Sequence, residues 1–388
     1  MTPAARVSAA IEILDTVLAG QAAEKTLTTW ARRNRYAGSG DRAAIRDHVF
    51  DALRCLRSYG YLGGSQTGRG IMIGAMRAQA QNPDTLFDGS RFAPAPLDQT
   101  ERAVPDLRTA PKPVQFDQQD WLLDHFAESL GDTAEPVMQA LRHRAPVFLR
   151  VNLAISTVAR AMDVLADEGI ETIPHTLSQS ALRVTANPRR VQSSRAFHQG
   201  LVELQDAASQ AAVDFLPIKD GMRILDYCAG GGGKSLAMAA RGSVEIFAHD
   251  IDPARMADIP VRAERAKVKI TCLSGNDLSR HAPFDLVLID APCSGSGAWR
   301  RSPEAKWRLS PERLAELVQI QSDLLDNTSE YLTANGVLAY ATCSLFRAEN
   351  HSQIANFVAR DPAWTVAQEK QLSPLDGGDG FFIACLTR

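Results

Sequence analysis

The chain has 388 residues and a formal net charge of −3; 45% of its residues are hydrophobic and 22% charged. That length leaves room for two or three domains with a sizeable core, and the composition is that of an ordinary soluble globular protein. No apolar run approaches the roughly 18 residues of a membrane span, so no membrane partner is expected, and the near-neutral balance does not announce a nucleic-acid binder.

No apolar stretch follows Met1-Thr2-Pro3-Ala4-Ala5-Arg6, so no secretory signal is read and the cytoplasm is the expected location. Six cysteines (55, 228, 272, 293, 343 and 385) are scattered without a CxxC pair. That argues against a zinc site and a disulfide framework; free thiols and no metal are expected. Positive charge gathers in residues 1–60 and 141–200, and negative charge in 61–140 and 201–388. The basic blocks read either as a footprint for phosphates or as solvated helix faces.

Residues 1–60 read as helical. Val7, Ile11, Leu14 and Val17/Leu18 recur at helical spacing, and Ile45, Val49, Leu53 and Leu56 repeat the pattern after Asp41-Arg42. Residues 80–118 have weak periodicity and read as loop, leading to a helix from about Gln118 to Leu130. Pro146–Asn152 reads as a strand, Ser156–Gly169 as a helix and Ala181–Thr185 as another strand. This small α+β module is rich in arginine: Arg142, Arg144, Arg150, Arg189, Arg190 and Arg195. Strand-like runs then recur at 223–225, 244–248, 268–273, 286–289 and 337–340, separated by helical stretches, with 381–386 as a closing strand. Such alternation implies an α/β domain with parallel strands. The boundaries drawn are 1–140, 141–210 and 211–388.

Asp226-Tyr227-Cys228-Ala229-Gly230-Gly231-Gly232-Gly233-Lys234-Ser235 follows the first of these strands and opens a helix. Glycines there let backbone approach a ligand at a helix N-terminus. Asp250, at the end of the second strand, is placed for ribose hydroxyls, and Asp277, past the third, for an adenine. Gly-Lys-Ser also suggests a P-loop, but the pattern G-x-x-x-x-G-K-[ST] puts its first glycine at position 228, which is Cys228. A nucleoside without a phosphate chain, S-adenosylmethionine, fits better.

Two thiols follow two strand ends: Cys293 in Asp290-Ala291-Pro292-Cys293-Ser294-Gly295-Ser296-Gly297, and Cys343 in Ala341-Thr342-Cys343-Ser344. Carbon 5 of cytosine is too poor a nucleophile to attack a methyl sulfonium directly. A thiolate adding to carbon 6 makes it enamine-like, and a base must later remove the carbon 5 proton. Asp290, Cys293 and Cys343 supply the groups this needs. The residues alone leave open the plainer alternative, two buried cysteines beside a cofactor loop.

Those two motifs resemble the cysteine motifs of the Nop/Sun (Fmu, RsmB-like) family of RNA cytosine-5 methyltransferases. Phe148–Asn152, Gly200–Gln210, Arg300–Trp307 and Gly378–Leu386 are similar to further family segments. Residues 1–60 resemble a NusB-like helical domain. The resemblance implies a Rossmann-like class I methyltransferase domain with a mostly parallel seven-stranded sheet, beside the small α+β module and an all-α N-terminal domain. It implies Cys343 as nucleophile, Cys293 as the thiol that assists release, and Asp290 at the cytosine edge. It implies Cys228, Ala229, Gly230, Gly232, Lys234 and Asp290 around the methionine part of S-adenosylmethionine, with Asp250 and Arg255 toward the ribose and Asp277 toward the adenine.

The implied partner is small-subunit ribosomal RNA, bound by a single copy of the chain through Arg142, Arg144, Arg150, Arg300, Arg301 and Lys306. The family usually has Ala-Pro-Gly-Gly-Lys in its first loop; the extra glycine here loosens the loop, and weaker cofactor affinity is the expectation. A non-catalytic RNA-binding or assembly factor is the alternative; both cysteines, Asp290 and Lys234 argue against it.

Overall fold

A Thr2 hydroxyl accepts the N–H of Ala5 and starts a helix, Pro3–Leu18, that buries Val7, Leu14 and Val17 on one face. Helices Ala23–Arg33, Ser39–Arg54, Leu56–Gly63 and Gly68–Ala78 complete a bundle. All 388 residues are described by this computed structural model. The core of the bundle includes Leu14, Ile45, Val49 and Ile71, all fully buried. Each such side chain contributes about 1.5–3 kcal/mol. Helix Gly68–Ala78 lies outside the elements read from the sequence. Its glycines hid it, and packing explains them. A Cβ on Gly74 would lie 1.8 Å from the carbonyl of Tyr59, and one on Gly63 would lie 1.7 Å from that of Gly70. Close backbone contact between the last two helices offsets the poor helix propensity of glycine.

The chain divides into two compact units. Met1–Ala127, Gly131–Arg144 and Trp299–Arg308 form one; Glu128–Leu130, Ala145–Ala298 and Leu309–Arg388 form the other. These lines differ from those drawn on the sequence. The small module shares a unit with the large sheet, and Trp299–Arg308 packs with the N-terminal helices.

In the second unit, the small sheet has strands β1 (Val147–Val151), β2 (Thr172–Pro174), β3 (Ala181–Val184) and β4 (Val202–Leu204), in the order β2-β3-β1-β4 and antiparallel throughout. The large sheet has seven strands: β5 (Arg223–Asp226), β6 (Glu245–Ala248), β7 (Ile270–Cys272), β8 (Phe284–Asp290), β9 (Leu332–Thr342), β10 (Thr365–Leu372) and β11 (Phe381–Thr387). Their order is β10-β11-β9-β8-β5-β6-β7. β5 to β9 run parallel, while β11 pairs antiparallel with both β9 and β10. This is the Rossmann-like methyltransferase architecture expected, with apolar β5, β8 and β9 at its centre. β10 was not read as a strand, because Val366–Lys370 is exposed and carries charge, as an edge strand that resists mispairing does. No helix is long and apolar enough to cross a membrane.

Candidate active site

The carboxyl ends of β5, β6, β8 and β9 gather the sequence-read site residues of the second unit, as open parallel sheets do. Asp226 ends β5. Its Oδ2 accepts the Ser235 hydroxyl at 2.6 Å, joining both ends of the glycine loop. Burial pushes the Asp226 carboxyl up to about 6, against the Ser235 hydrogen bond. Gly230 and Gly232 have φ of +51° and +77°, the left-handed region that favours glycine. A Cβ on Gly232 would meet the Ile259 side chain at 2.8 Å. Ala229 closes the turn by accepting the N–H of Gly232 at 2.8 Å. Cys228 is half-buried, and burial pushes its thiol well up.

Asp250 is nearly fully buried beyond β6. Its oxygens accept the N–H of Gly230 at 2.9 Å and that of Asp252 at 3.0 Å, and it pairs with Arg255 at 3.1 Å. The Arg255 side chain is 59% exposed, so it can yield its place on the carboxylate to another donor. Asp277 accepts the Ser274 hydroxyl at 2.5 Å and pairs with Arg280 at 3.4 Å; the Ser274 hydrogen bond holds its carboxyl below the usual range. Left-handed glycines, a buried acid at the second strand end and a half-exposed acid past the third suit S-adenosylmethionine, which carries ribose hydroxyls and an adenine but no phosphate.

At the end of β8, Asp290 Oδ2 accepts Lys234 Nζ at 2.6 Å. Burial alone would lower the ammonium's pKa, but Asp290 outweighs it and holds Lys234 above its ordinary value. Lys234 also lies over the ring of Phe381 at 4.8 Å. The two expected thiols meet: Cys293 Sγ and Cys343 Sγ are 3.5 Å apart, and both are free. The hydrogen bond with Cys343 and burial push the Cys293 thiol well up. The sequence reading missed what fastens these loops together. Glu349 is fully buried and accepts hydrogen bonds from Ser294 and Ser344, the residues next to the two cysteines. Arg347, His351, Ser352 and Gln353 surround it, so nothing local in the sequence set Glu349 apart.

Of the six basic residues expected on RNA, Arg150, Arg300 and Lys306 are turned inward, Arg142 pairs with the buried Asp117 at 2.7 Å, and Arg144 pairs with Asp47 at 3.0 Å. Arg150 is 5% exposed and donates to Gln205 Oε1 at 2.6 Å and to the Gly233 carbonyl at 2.7 Å, which corrects its reading as a phosphate contact. Burial lowers its pKa to about 10. Arg300 and Lys306 are corrected likewise, within the N-terminal unit. Lys306 is 1% exposed and donates to the Arg54 carbonyl at 3.2 Å; Trp307 Nε1 donates to that of Leu53 at 2.7 Å. Arg54 in turn donates to the carbonyl of Arg300, which is buried. The stretch therefore satisfies the last carbonyls of helix Ser39–Arg54, where a cation is also favoured by the helix dipole. Arg301 is half-buried. Arg183, Arg189 and Arg190 of the small module are exposed.

Residues 213–387 match the family model described as 16S rRNA methyltransferase RsmB/F, and residues 118–192 match a ferredoxin-like domain of RsmF/B-like methyltransferases. The chain is 34% identical over 289 residues to ribosomal RNA small subunit methyltransferase B of Citrobacter koseri, covering 71% of this chain and 67% of that protein. The protein of the same name from Vibrio vulnificus is 31% identical over 301 residues, covering 74% and 70%. The chain thus aligns with about two thirds of the length of these curated relatives. Among solved structures, PH0851 superposes with a TM-score of 0.76 at 21% identity, covering 100% of this chain and 99% of that one. A methyltransferase homologue from Pyrococcus horikoshii gives 0.62 at 23% identity, covering 71% and 97%. At these identities the two structures speak for the fold.

Proposed function

The chain belongs to the RsmB/F family of 16S rRNA methyltransferases, and from that premise we propose that it methylates carbon 5 of a cytosine in small-subunit rRNA through a covalent cysteine–cytosine adduct. S-adenosylmethionine is the cofactor and supplies an electrophilic methyl group. The observation that carries the reading is the meeting of Cys293 and Cys343 at 3.5 Å, in the same unit as the glycine loop and the Lys234–Asp290 pair.

Cys343 acts as the nucleophile: its sulfur bonds to carbon 6, and the electrons of the 5–6 double bond make carbon 5 reactive. Asp290, fixed by Lys234, stands at the N3 and amino edge of the ring and stabilises the adduct. After methylation, carbon 5 loses its proton as the bond from Cys343 to carbon 6 breaks. Cys293 assists that release. Only the thiolate can collect that proton, so Cys293 must first give up its own; its raised affinity then makes the thiolate the stronger base. The target base leaves its stack to reach the site. With Arg150, Arg300 and Lys306 turned inward, phosphate contacts fall to the exposed Arg183 and Arg190.

The test uses small-subunit rRNA from cells lacking this protein, labelled S-adenosylmethionine, and the wild type, Cys343→Ala and Cys293→Ala proteins. The expected result is labelled 5-methylcytosine with the wild type, none with Cys343→Ala, and a protein–RNA adduct on denaturing gels with Cys293→Ala. Label appearing elsewhere than at carbon 5, or undiminished with Cys343→Ala, would refute the proposal.

A further inference from the structure

Glu349 carries a carboxylate that is fully buried in the second unit, and its charge is met by hydroxyl and N–H donors. Oε1 accepts the Ser294 N–H at 2.8 Å and Gln321 Nε2 at 3.1 Å. Oε2 accepts the Ser294 hydroxyl at 2.5 Å and the Ser344 hydroxyl. Ser294 comes directly after Cys293, and Ser344 directly after Cys343. Both loops therefore donate to one carboxyl group, one residue from each thiol. The carboxylate is itself fixed: the Tyr340 hydroxyl donates to the Glu349 carbonyl at 2.7 Å, and Gln321 Nε2 also reaches the Pro292 carbonyl at 2.9 Å.

We propose that Glu349 is a positioning residue for the two-thiol reaction: it clamps the Cys293 loop to the Cys343 loop and sets the distance between the sulfurs. The loops are also joined directly: Ser344 Oγ lies 3.3 Å from Ser294 Oγ and 3.1 Å from Ser296 Oγ. Gly297 donates its N–H to the Cys343 carbonyl at 2.9 Å, and Ser296 Oγ accepts the N–H of Leu345 at 2.8 Å. Loss of Glu349 therefore leaves the loops attached and removes the one acceptor that draws both serine hydroxyls together beside the thiols. A fixed anion holding two hydroxyls and a backbone N–H suits this task better than a neutral group, because such bonds are shorter and stronger. Glu349 touches neither sulfur, so it acts through Ser294 and Ser344.

The inference rests on the two-thiol reading above, and its test separates the two. Phenylarsine oxide bridges a pair of neighbouring thiols, forming two arsenic–sulfur bonds as one water leaves, and needs neither RNA nor cofactor. Its capture rate is measured on the wild type, Glu349→Gln and Glu349→Ala, with Cys343→Ala as the blank. S-adenosylmethionine affinity, and kcat and KM for rRNA, are measured on the same proteins. Both Glu349 variants should capture the arsenical about 10-fold more slowly and show kcat about 10–100-fold lower, with KM and cofactor affinity within about 2-fold of wild type. Wild-type capture and kcat in Glu349→Gln and Glu349→Ala overturn the proposal. So does a loss of cofactor binding in Glu349→Gln that parallels the loss of capture, which would make Glu349 a folding residue. A wild type that captures the arsenical but forms no 5-methylcytosine refutes the reaction while leaving the clamp measurable by capture alone.

Discussion

Arg150 of β1 donates to the carbonyl of Gly233 at 2.7 Å, so the small sheet holds the first residue of the helix that leaves the glycine loop. Replacing Arg150 by Met removes that bond and the one to Gln205, and leaves the Gly233 carbonyl without its cation. The expected cost is about 2–4 kcal/mol of stability, with weaker cofactor binding. Urea denaturation and calorimetric titration with S-adenosylmethionine measure both. The salt dependence of RNA binding should stay that of the wild type, because Arg150 meets no phosphate.

Arg183 and Arg190 supply the contrast. Both are exposed on the small module. The double change Arg183→Ala, Arg190→Ala should leave stability within about 0.5 kcal/mol. If each meets a phosphate of single-stranded rRNA, the slope of log K against log salt should become shallower by about 1.4. Filter binding across a salt series reads the slope; an unchanged slope places the RNA elsewhere.

Lys306 gives a pH test. Burial lowers its pKa to about 8 in the folded chain, from an ordinary value of 10.5. Between these values the unfolded chain holds a proton that the folded chain has released. The contribution of Lys306 to stability therefore rises with pH through that window, by up to about 1.4 kcal/mol per pH unit. Lys306→Met should remove this rise. Denaturation of both proteins at pH 8, 9 and 10 supplies the comparison, and parallel curves would contradict it.

The glycine loop separates two kinds of glycine. Gly231 lies outside the left-handed region, and a Cβ there would meet only the tip of the Arg262 side chain, at 3.0 Å. Gly231→Ala should stabilise the chain by about 0.4–1 kcal/mol and tighten cofactor binding. Gly232→Ala should instead destabilise by about 1–3 kcal/mol, through its φ of +77° and the clash with Ile259. Thermal melts with and without S-adenosylmethionine distinguish the two.

Much of this site was legible before the fold was known. The runs of β5, β6, β8 and the last part of β9 are short and apolar, and in a parallel sheet the residues just past each run lie together at the carboxyl ends. Asp250, Asp290, Cys293 and Cys343 could be placed on that ground alone. Edge strand β10 escaped because solvent, and not a core, faces most of its side chains. Helix Gly68–Ala78 escaped because its glycines answer to the helix packed against it. Glu349 escaped because its role depends on two serines 55 and 5 residues away.

The sequence by itself determined the parallel strands, the glycine loop and the chemistry of the strand ends, since all of these depend on local periodicity and neighbouring residue types. Only the tertiary structure decided what the cations do. Arg150 and Lys306 read as solvent-facing charges, yet each ends on a carbonyl far along the chain, Gly233 and Arg54. A buried charge is tolerated only where such partners replace water, and which carbonyls come within reach is settled by packing at long range.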